Sequence, residues 1–577
     1  MRFSKRYVFF ALVLAGALIW KLNNWNDRYA QVETFRGAAL EKDVLYPLMS
    51  KNLNDSNALS IYINGELYTN NGSNVILDDS LTPVASLEFI RTALFGSAFW
   101  ESEKSATVQI SNKIYEFLQD NITATENGDD IELVEKPSIH NGQFYIGLED
   151  LCNIFGYDYE YSKENYAVSI GYEKPATLPK QFDLRDLDRV SVIRNQGSTS
   201  TCWACASLEA LESSLLPASP YVFSVDSMIN DNSFDLDQNA GGDYTMALAY
   251  LLSWQGPQLS EDDGTGLINN LMDDGTKAPA IHLQEAHFYD SEDLDKIKWA
   301  VYRYGGVSTS IYASVSTSNL NKSTAYNIKT NSYCYRGNSK PNHDVVIIGW
   351  DDSFPAEYFS SDVPGDGAFI CQNSWGSGFG DAGVFYISYY DTNIGNQAVS
   401  YVDVDTHNTY NYIYQSDLCG WVGQVGYSKE WAYGANTFTA DAEQQVEAAG
   451  FYALGPDTSY QVFFVPNYEN TSSLAHKELV ASGTLDEAGY YTIKFDSAKT
   501  VSEGENFAIV LYVNTPDTLR PMAVEYAADD MTAAVDLEDG KGFISNNGLD
   551  WENVEDAAKA NLCIKAYANN VVEVFEE

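Results

Sequence analysis

The sequence predicts a multidomain α+β protein, and three observations lead to that prediction. The chain has 577 residues, which is too long for a single domain. Its composition, 45% hydrophobic with 14% aromatic residues, is enough for several packed cores. Helical and strand patterns alternate before residue 398, whereas short alternating strands separated by Gly, Asn and Asp fill the region after it.

The charge of the chain restricts its partners. It holds 81 acidic against 34 basic residues, a net charge of −47. Such a surface repels phosphate groups and no basic stripe offsets it, so we expect no nucleic-acid partner. Strong acidity also keeps a protein soluble in an exposed, extracytoplasmic setting.

The first residues predict export. Arg2, Lys5 and Arg6 precede an apolar run over residues 7–20. A run of that length suits the core of a signal peptide better than a transmembrane helix, which needs about 20 residues. Residues 1–22 are therefore predicted to be either a cleaved signal peptide or an uncleaved signal anchor in the membrane. Both alternatives place the rest of the chain outside the cell or on its surface.

Residues 60–172 contain a degenerate repeat. Each copy is predicted to form a short helix from Leu87 or Leu148, a stop near Gly96 or Gly156, and two alternating strands. This region resembles the small N-terminal domain of copper amine oxidases, a module that recurs in secreted bacterial proteins. The resemblance implies a binding or attachment module without catalytic residues, and a spacer or an inhibitory pro-region is the alternative.

The seven cysteines do not predict a disulfide framework, because their number is odd and their spacing is irregular. Cys202 and Cys205 form the one CxxC pair of the sequence, and no second pair completes a zinc site. We therefore expect no metal or other cofactor. Cys205 is interpreted as a small core residue, with a redox pair as the alternative, which leaves Cys202 as the reactive thiol.

The segment around Cys202 predicts an activated thiol. Gln196 precedes it by six residues, and the apolar segment 203–215 after it predicts a helix. A thiol in the first turn of a helix lies at the positive end of the helix dipole, which favours the thiolate. The Gln196 amide is placed to donate to an oxyanion on the carbonyl that the thiolate attacks.

Two later segments supply the other groups that a thiol nucleophile needs. His343 begins a buried-looking strand, and Asn373 ends another, just before a glycine-rich turn. The nucleophile needs a base that takes up its proton, and a third group must hold the imidazole in one tautomer. Adjacent strands would place His343 beside Asn373, with Trp375 shielding their hydrogen bond from water.

Together these motifs resemble the papain family of cysteine peptidases, in the same order along the chain. The resemblance covers residues 179–396 and implies a two-lobed fold, with a helical lobe from Cys202 and a β-barrel-like lobe around His343. It also implies protein or peptide substrates. The catalytic roles it implies are nucleophile for Cys202, base for His343, orienting residue for Asn373 and oxyanion donor for Gln196.

The same resemblance assigns Trp375 and three further residues to substrate binding. Gly241 and Gly242 are similar to a glycine pair along which the substrate backbone lies, although a plain turn before a helix also explains them. Asp344 is predicted to line the second subsite, where it favours a basic side chain. Thr199 stands where the family has a disulfide-bonded cysteine, so that bridge is absent.

Residues 398–570 predict an all-β sandwich. Behind a papain-like domain, this region resembles the lectin-like domain of bacterial cell-surface peptidases, which implies carbohydrate at the cell surface as a partner. Two acidic runs, at 126–130 and 536–540, are interpreted as solvated loops, with calcium binding as the alternative.

These features predict an exported cysteine endopeptidase that acts through an acyl-thioenzyme intermediate and carries accessory binding domains. Two alternatives remain open. One is a surface adhesin or carbohydrate-binding protein with an accessory peptidase domain, and the other is a peptidase with narrow specificity for cell-wall peptides. The complete set of four catalytic residues argues against an inactive enzyme.

Overall fold

The structure is a computed structural model of the chain. It describes residues 31–34, 59–64, 66–68, 74–78, 80–102, 104–110, 113–140, 143–163, 166–172, 178–217, 219–235, 241–260, 281–291, 294–314, 320, 323–406, 408–537 and 540–571. The predicted signal peptide or anchor at residues 1–22 lies outside the described residues. No helix in the described part of the chain combines the length and apolar character needed to cross a membrane.

Residues 59–172 form an α+β unit around a core of its own. Its helices are Leu87–Thr92 and Leu148–Phe155. Three small sheets are built from the strands Ser60–Ile63, Glu66–Tyr68, Val75–Leu77, Pro83–Ser86, Ser97–Ser102, Ser105–Ile110, Lys113–Leu118, Thr123–Glu126, Asp129–Glu132, Ser138–His140, Gln143–Gly147, Asp158–Ser162 and Ala167–Gly171.

Both copies of the repeat have the predicted order, a helix followed by two antiparallel strands. Gly96 and Gly156, the glycines that follow the two helices, are required for different structural reasons. Gly156 ends its helix in the left-handed region, with φ +70°, which glycine adopts without strain. Gly96 instead makes room for the second helix, because a Cβ there would come within 2.6 Å of the Phe155 ring.

Residues 178–406 combine helices with a mainly antiparallel sheet. The helices are Cys202–Leu215, Val225–Asn230, Tyr244–Leu252 and Leu294–Tyr304, with short 3₁₀ turns at Leu184–Leu187 and Ala356–Tyr358. The strands are Gln181–Asp183, His282–Tyr289, Val307–Ile311, Tyr326–Asn327, Ser332–Tyr333, His343–Asp351, Ala368–Gln372, Val384–Ser388 and Asn396–Asp405.

The helix Cys202–Leu215 forms the centre of this region. It is buried almost throughout, since Leu208 and Leu211 share a core with Val346 and Ile348 of the strand His343–Asp351. That strand is central in the sheet, between Val307–Ile311 and Ala368–Gln372. The first residue of the helix therefore lies beside the start of the strand, and we call the surface where they meet the cleft.

Residues 412–570 form a β-sandwich, as the sequence predicts. Two large sheets pack on each other, and the short strands Gly423–Gly426, Met522–Glu525 and Asn561–Leu562 belong to a third, smaller sheet. The strands are Tyr412–Tyr414, Gly423–Gly426, Trp431–Thr439, Gln444–Ala453, Thr458–Val465, Glu478–Leu485, Ala488–Val501, Asn506–Asn514, Met522–Glu525, Gly542–Ser545, Glu552–Asn553, Asn561–Leu562 and Ile564–Asn570. One helix, Val554–Ala558, and 3₁₀ turns at Thr471–His476 and Asp530–Thr532 complete the described part of this region. Its apolar core lies between the sheets.

A single sheet joins the peptidase-like region to the C-terminal region. The strand His282–Tyr289 pairs with Asn396–Asp405 on one side and with Ala488–Val501 on the other. The strand Asn396–Asp405 also crosses the boundary predicted between residues 396 and 398. Polar and turn-forming residues reveal a domain boundary that lies in a linker. They do not reveal a domain boundary that runs through a continuous sheet.

The N-terminal α+β unit docks far from the cleft. The Arg189 guanidinium lies 3.1 Å from the ring centre of Phe99 and donates to the carbonyls of Ser213 and Leu216. Those carbonyls belong to the C-terminal end of the helix that Cys202 begins. Fourteen residues of helix separate the two ends, a length of about 21 Å.

Candidate active site

Cys202 is the first residue of its helix, as predicted, and it is partly buried while the other six cysteines are fully buried. Its sulfur lies against the backbone N–H groups of Trp203 and Asp344. All seven cysteines are free thiols, including Cys205 next to it in the core. The arrangement leaves Cys202 as the thiol that faces the cleft.

The structure brings His343, Asn373 and Trp375 together. His343 Nε2 lies 2.9 Å from Asn373 Oδ1, and both side chains are buried. An amide oxygen only accepts hydrogen bonds, so Nε2 carries the ring hydrogen and Nδ1 holds the free lone pair. The Trp375 indole stacks on the imidazole, with ring centres 4.8 Å apart, and shields this hydrogen bond from water.

Gln196 is held by hydrogen bonds on both sides of its amide. Its Oε1 accepts from the Ser374 hydroxyl at 2.7 Å, and its Nε2 donates to the Thr199 carbonyl at 2.8 Å. One Nε2 hydrogen remains for a further acceptor. Thr199, at the position of the missing disulfide, donates to the Gln196 carbonyl at 2.7 Å and bonds to the Thr201 hydroxyl at 2.8 Å. Hydrogen bonds thus hold the turn that a disulfide would otherwise close.

Burial opposes a charge on the thiol and on the imidazole when each is taken alone. It raises the pKa of Cys202 to about 12, with the Asp344 carboxyl adding to the rise, and it lowers the pKa of His343 to about 4. Burial therefore outweighs the expected effect of the helix terminus on the pKa of Cys202. When a proton moves from the thiol to the imidazole, both groups become charged in one step. The thiolate and the imidazolium then attract each other strongly, because the dielectric constant around buried groups is low.

Asp344 sits beside this pair and is largely buried. Ser310 donates to its Oδ1 at 2.5 Å, and the Asp243 carboxyl lies near enough for its charge to act on Asp344. Burial, together with the charge of Asp243, raises the pKa of Asp344 to about 7. The sequence predicts no role for Asp243, because it lies too far from Asp344 in the chain for the two residues to form a motif.

The glycine pair precedes the helix Tyr244–Leu252, which Asp243 caps through the backbone N–H of Thr245 at 2.8 Å. Gly241 has φ +78°, a left-handed conformation that favours glycine. At Gly242 a Cβ would come within 2.6 Å of the Trp203 indole. Backbone conformation thus explains the glycine at position 241, and close packing explains the one at position 242. The backbone of Gly242 lies beside Trp203, the residue after Cys202.

A buried ion pair that the sequence does not predict holds the segment of Gln196 in place. Arg194 Nη1 lies 2.8 Å from Glu212 Oε2 in the helix of Cys202, and both side chains are almost fully buried. The Arg194 carbonyl accepts from Gly376 N at 2.9 Å, and Gln196 N donates to the Ser374 carbonyl at 2.9 Å. The signal in the sequence was a pair of acidic residues, Glu209 and Glu212, in a helix of mainly apolar and small residues.

The acidic run at residues 126–130 is a β-hairpin turn. Asn127 and Gly128 have positive φ between the paired strands Thr123–Glu126 and Asp129–Glu132, and Glu126 forms an ion pair with Lys113 at 2.7 Å. The run at 536–540 includes residues 538 and 539, which lie outside the described residues.

Three family models match the chain. Residues 178–402 match the papain family cysteine protease, residues 62–170 match the copper amine oxidase N-terminal domain, and residues 413–568 match the lectin like domain. The predicted fold, a papain-like peptidase domain between a small α+β unit and a β-sandwich, is confirmed.

Curated relatives align with the peptidase region. A viral cathepsin of Epiphyas postvittana nucleopolyhedrovirus is 24% identical over 242 residues, which cover 41% of this chain and 69% of that protein. Mouse cathepsin S is 26% identical over 212 residues, which cover 36% and 58%.

One solved structure spans two of the regions. The crystal structure of the cysteine protease and lectin-like domains of Cwp84, a surface layer associated protein of Clostridium difficile, is similar with a TM-score of 0.57. Its sequence is 22% identical, and the match covers 68% of this chain and 89% of that chain. At this identity the likeness concerns the fold, and it extends over both domains.

Proposed function

We propose that this papain-family cysteine peptidase, which carries a lectin-like domain, uses Cys202 as its nucleophile and His343 as its base. The observation that carries the proposal is the hydrogen bond from His343 Nε2 to Asn373 Oδ1. His343 begins the strand whose next residue, Asp344, directs its backbone N–H at the Cys202 sulfur. The bond to Asn373 leaves Nδ1 as the basic nitrogen of the ring. Asn373 is the orienting residue, and Trp375 keeps water from the bond.

The reaction is acyl transfer to sulfur followed by hydrolysis. The Cys202 sulfur attacks the carbonyl carbon of the scissile peptide bond, and the thiol proton passes to His343 Nδ1. His343 returns that proton to the leaving amine nitrogen as the C–N bond breaks, which leaves a thioester on Cys202. Water, deprotonated by His343, then attacks the thioester carbon and releases the carboxylic acid and the free thiol.

Gln196 stabilises the negative oxygen of both tetrahedral intermediates. Its free Nε2 hydrogen and the backbone N–H groups at the start of the helix are the donors, since the first N–H groups of a helix have no partner within it. Ser374 and Thr199 hold the amide before substrate arrives, so no reorganisation is needed during the reaction.

The second subsite is proposed to lie between Gly241, Gly242 and Asp344, with Asp243 beside it. Two carboxyl groups close to each other favour a basic substrate side chain, because its charge relieves their repulsion. Dipeptide substrates with Arg, Leu or Phe at this position test the assignment. We expect the Arg substrate to have the highest kcat/KM, and a preference for Leu or Phe would contradict it.

The accessory regions are proposed to bind rather than to inhibit. The contact between Phe99 and Arg189, at the far end of the Cys202 helix, supports a binding or attachment role for residues 60–172. The C-terminal region, residues 398–570, is proposed to bind carbohydrate at the cell surface. An extracellular or surface location is in keeping with the surface layer association of Cwp84 and with the apolar segment at residues 1–22, proposed to be a signal peptide or anchor.

Labelling with an epoxide inhibitor of thiol peptidases tests the catalytic assignment. We expect covalent labelling of the wild-type chain and of Cys205→Ala, and none of Cys202→Ala, because only Cys202 faces the cleft. Equal labelling of Cys202→Ala would contradict the proposal and favour an adhesin with an accessory domain. Labelling that depends on Cys202 without cleavage of casein would favour a narrow substrate such as a cell-wall peptide.

A further inference from the structure

The outer face of one C-terminal sheet carries aromatic side chains that the sandwich core does not use. Along the strand Trp431–Thr439, Ala432 and Phe438 belong to the core between the two sheets. The alternate residue Tyr433 packs in a separate cluster on the opposite face. Trp431, on the same face as Tyr433 by this alternation, has 38% of its surface exposed.

These side chains continue onto the neighbouring strand. Tyr512 lies directly opposite Tyr433, and the centres of their rings are 4.8 Å apart. Gln461 pairs with Tyr512 on the next strand and places an amide beside the rings. We call Trp431, Tyr433 and Tyr512 the aromatic shelf. Its rings are half-buried or exposed, whereas the lower part of the same face is closed by the turn Thr471–His476, whose Leu474 is fully buried.

Two lysines lie over the aromatic shelf. Lys429 Nζ is 5.0 Å from the Trp431 ring, and Lys477 Nζ is 5.9 Å from the Tyr433 ring. Lys477 also donates to the Gly548 carbonyl at 3.3 Å. Neither lysine forms an ion pair with a carboxylate of the described residues, although other lysines of the chain do. This face therefore carries two cations, unpaired within the described residues, beside its aromatic rings, in a chain with a net charge of −47.

We propose that the aromatic shelf binds an acidic polysaccharide, a chain of pyranose rings that carry carboxylate or phosphate groups. A pyranose has an apolar C–H face, which stacks on aromatic rings, and an edge of hydroxyl groups, which bond to an amide such as Gln461. Lys429 and Lys477 supply the positive charge for the acidic groups. The inference rests on the proposed carbohydrate binding of the C-terminal region and assigns it a place and a ligand class.

The acidity of the whole chain does not exclude this ligand. At physiological ionic strength charges are screened over about 8 Å, so distant carboxylates act weakly on a ligand at the shelf. The two lysines lie within that distance of the rings they cover. Selectivity for acidic over neutral sugars then depends on local contacts.

Binding of polygalacturonate to the full-length chain, measured by calorimetry at about 0.15 M salt, tests the proposal. The methyl-esterified polymer is the matched neutral ligand, because it keeps the sugar backbone and loses the charge. We expect Trp431→Ala and Tyr433→Ala each to weaken binding of polygalacturonate about tenfold. Lys477→Gln should weaken it several-fold and leave binding of the ester unchanged.

Tyr358→Ala, an exposed tyrosine of the peptidase region, is the control variant and should bind as wild type. Cleavage of casein by each variant reports that it is folded. If the shelf variants bind polygalacturonate as tightly as the wild-type chain, the assignment of the binding site to the aromatic shelf is wrong, although the proposed carbohydrate binding still stands. Equal affinity for the ester would overturn the acidic ligand class. Absence of binding by the wild-type chain to both polymers would overturn the shelf, and absence across an array of further glycans would also overturn the proposed carbohydrate binding.

Discussion

The proposed catalytic side chains His343 and Gln196 are held by hydrogen bonds that still leave a nitrogen site of each group for the reaction. Asn373 accepts the hydrogen of His343 Nε2, so Nδ1 is free. Ser374 occupies Gln196 Oε1, so the Nε2 side of that amide faces the thiol turn. Neither contact is made by a charged group.

We expect the carboxyl group of Asp344 to set the pH range over which the thiol reacts. Its pKa of about 7 means that it becomes charged as the pH rises through neutrality, and its charge then opposes the thiolate. Asp344→Asn removes that charge. We expect iodoacetamide to alkylate Cys202 at the same rate in both proteins near pH 5.5 and several-fold faster in the variant near pH 8.5.

Iodoacetamide is suited to this measurement because it is too small to need a substrate subsite. Asp362→Asn removes an exposed carboxylate of the same region and is the matched control, expected to react as wild type at every pH. A slower reaction of Asp344→Asn at high pH would show that the carboxyl supports the thiolate instead.

At the scale of single elements, we expect the packing of Gly242 against Trp203 of the Cys202 helix to control the width of the cleft. In Gly242→Ala the new Cβ meets the Trp203 indole, whose core position cannot yield, so the turn must move. We expect a loss of about 1–3 kcal/mol in the free energy of unfolding, measured in urea, and a several-fold lower kcat/KM.

Gly378→Ala is the matched control, because a Cβ there meets no atom within 4 Å and the residue has no positive φ. It should keep both the stability and the activity of the wild-type chain. Unchanged kcat/KM in Gly242→Ala would mean that the glycine turn does not shape the substrate cleft.

Motifs with fixed spacing made the elements of the site predictable. Cys202 opens a helix and His343 opens a strand, as the apolar patterns on their C-terminal sides indicate. Contacts between residues that are distant in the chain have no such sequence pattern. The approach of Asp243 to Asp344 and the ion pair of Arg194 with Glu212 depend on how helices pack on the sheet, which local sequence does not determine.

At the scale of the whole molecule, two kinds of junction differ in strength. The N-terminal unit meets the peptidase region through side-chain contacts, such as Phe95 on Trp299 with ring centres 5.9 Å apart. The C-terminal region is joined to it by backbone hydrogen bonds between His282–Tyr289 and Ala488–Val501. A shared sheet passes a distortion in one domain directly to the other, whereas a side-chain contact gives way locally.

Gly489→Ala tests whether the shared sheet makes the peptidase and lectin-like domains unfold together. Gly489 lies opposite His287, and a Cβ there would come within 2.2 Å of the Ala286 carbonyl oxygen, so the two strands must separate. We expect calorimetry to show one transition for both domains, lowered by about 3 kcal/mol or more in free energy of unfolding, with peptidase activity lost at the same temperature. Gly171→Ala, where the Cβ makes ordinary contacts, should leave that transition in place. Two separate transitions, with the peptidase one unchanged, would show that the domains fold independently despite the sheet.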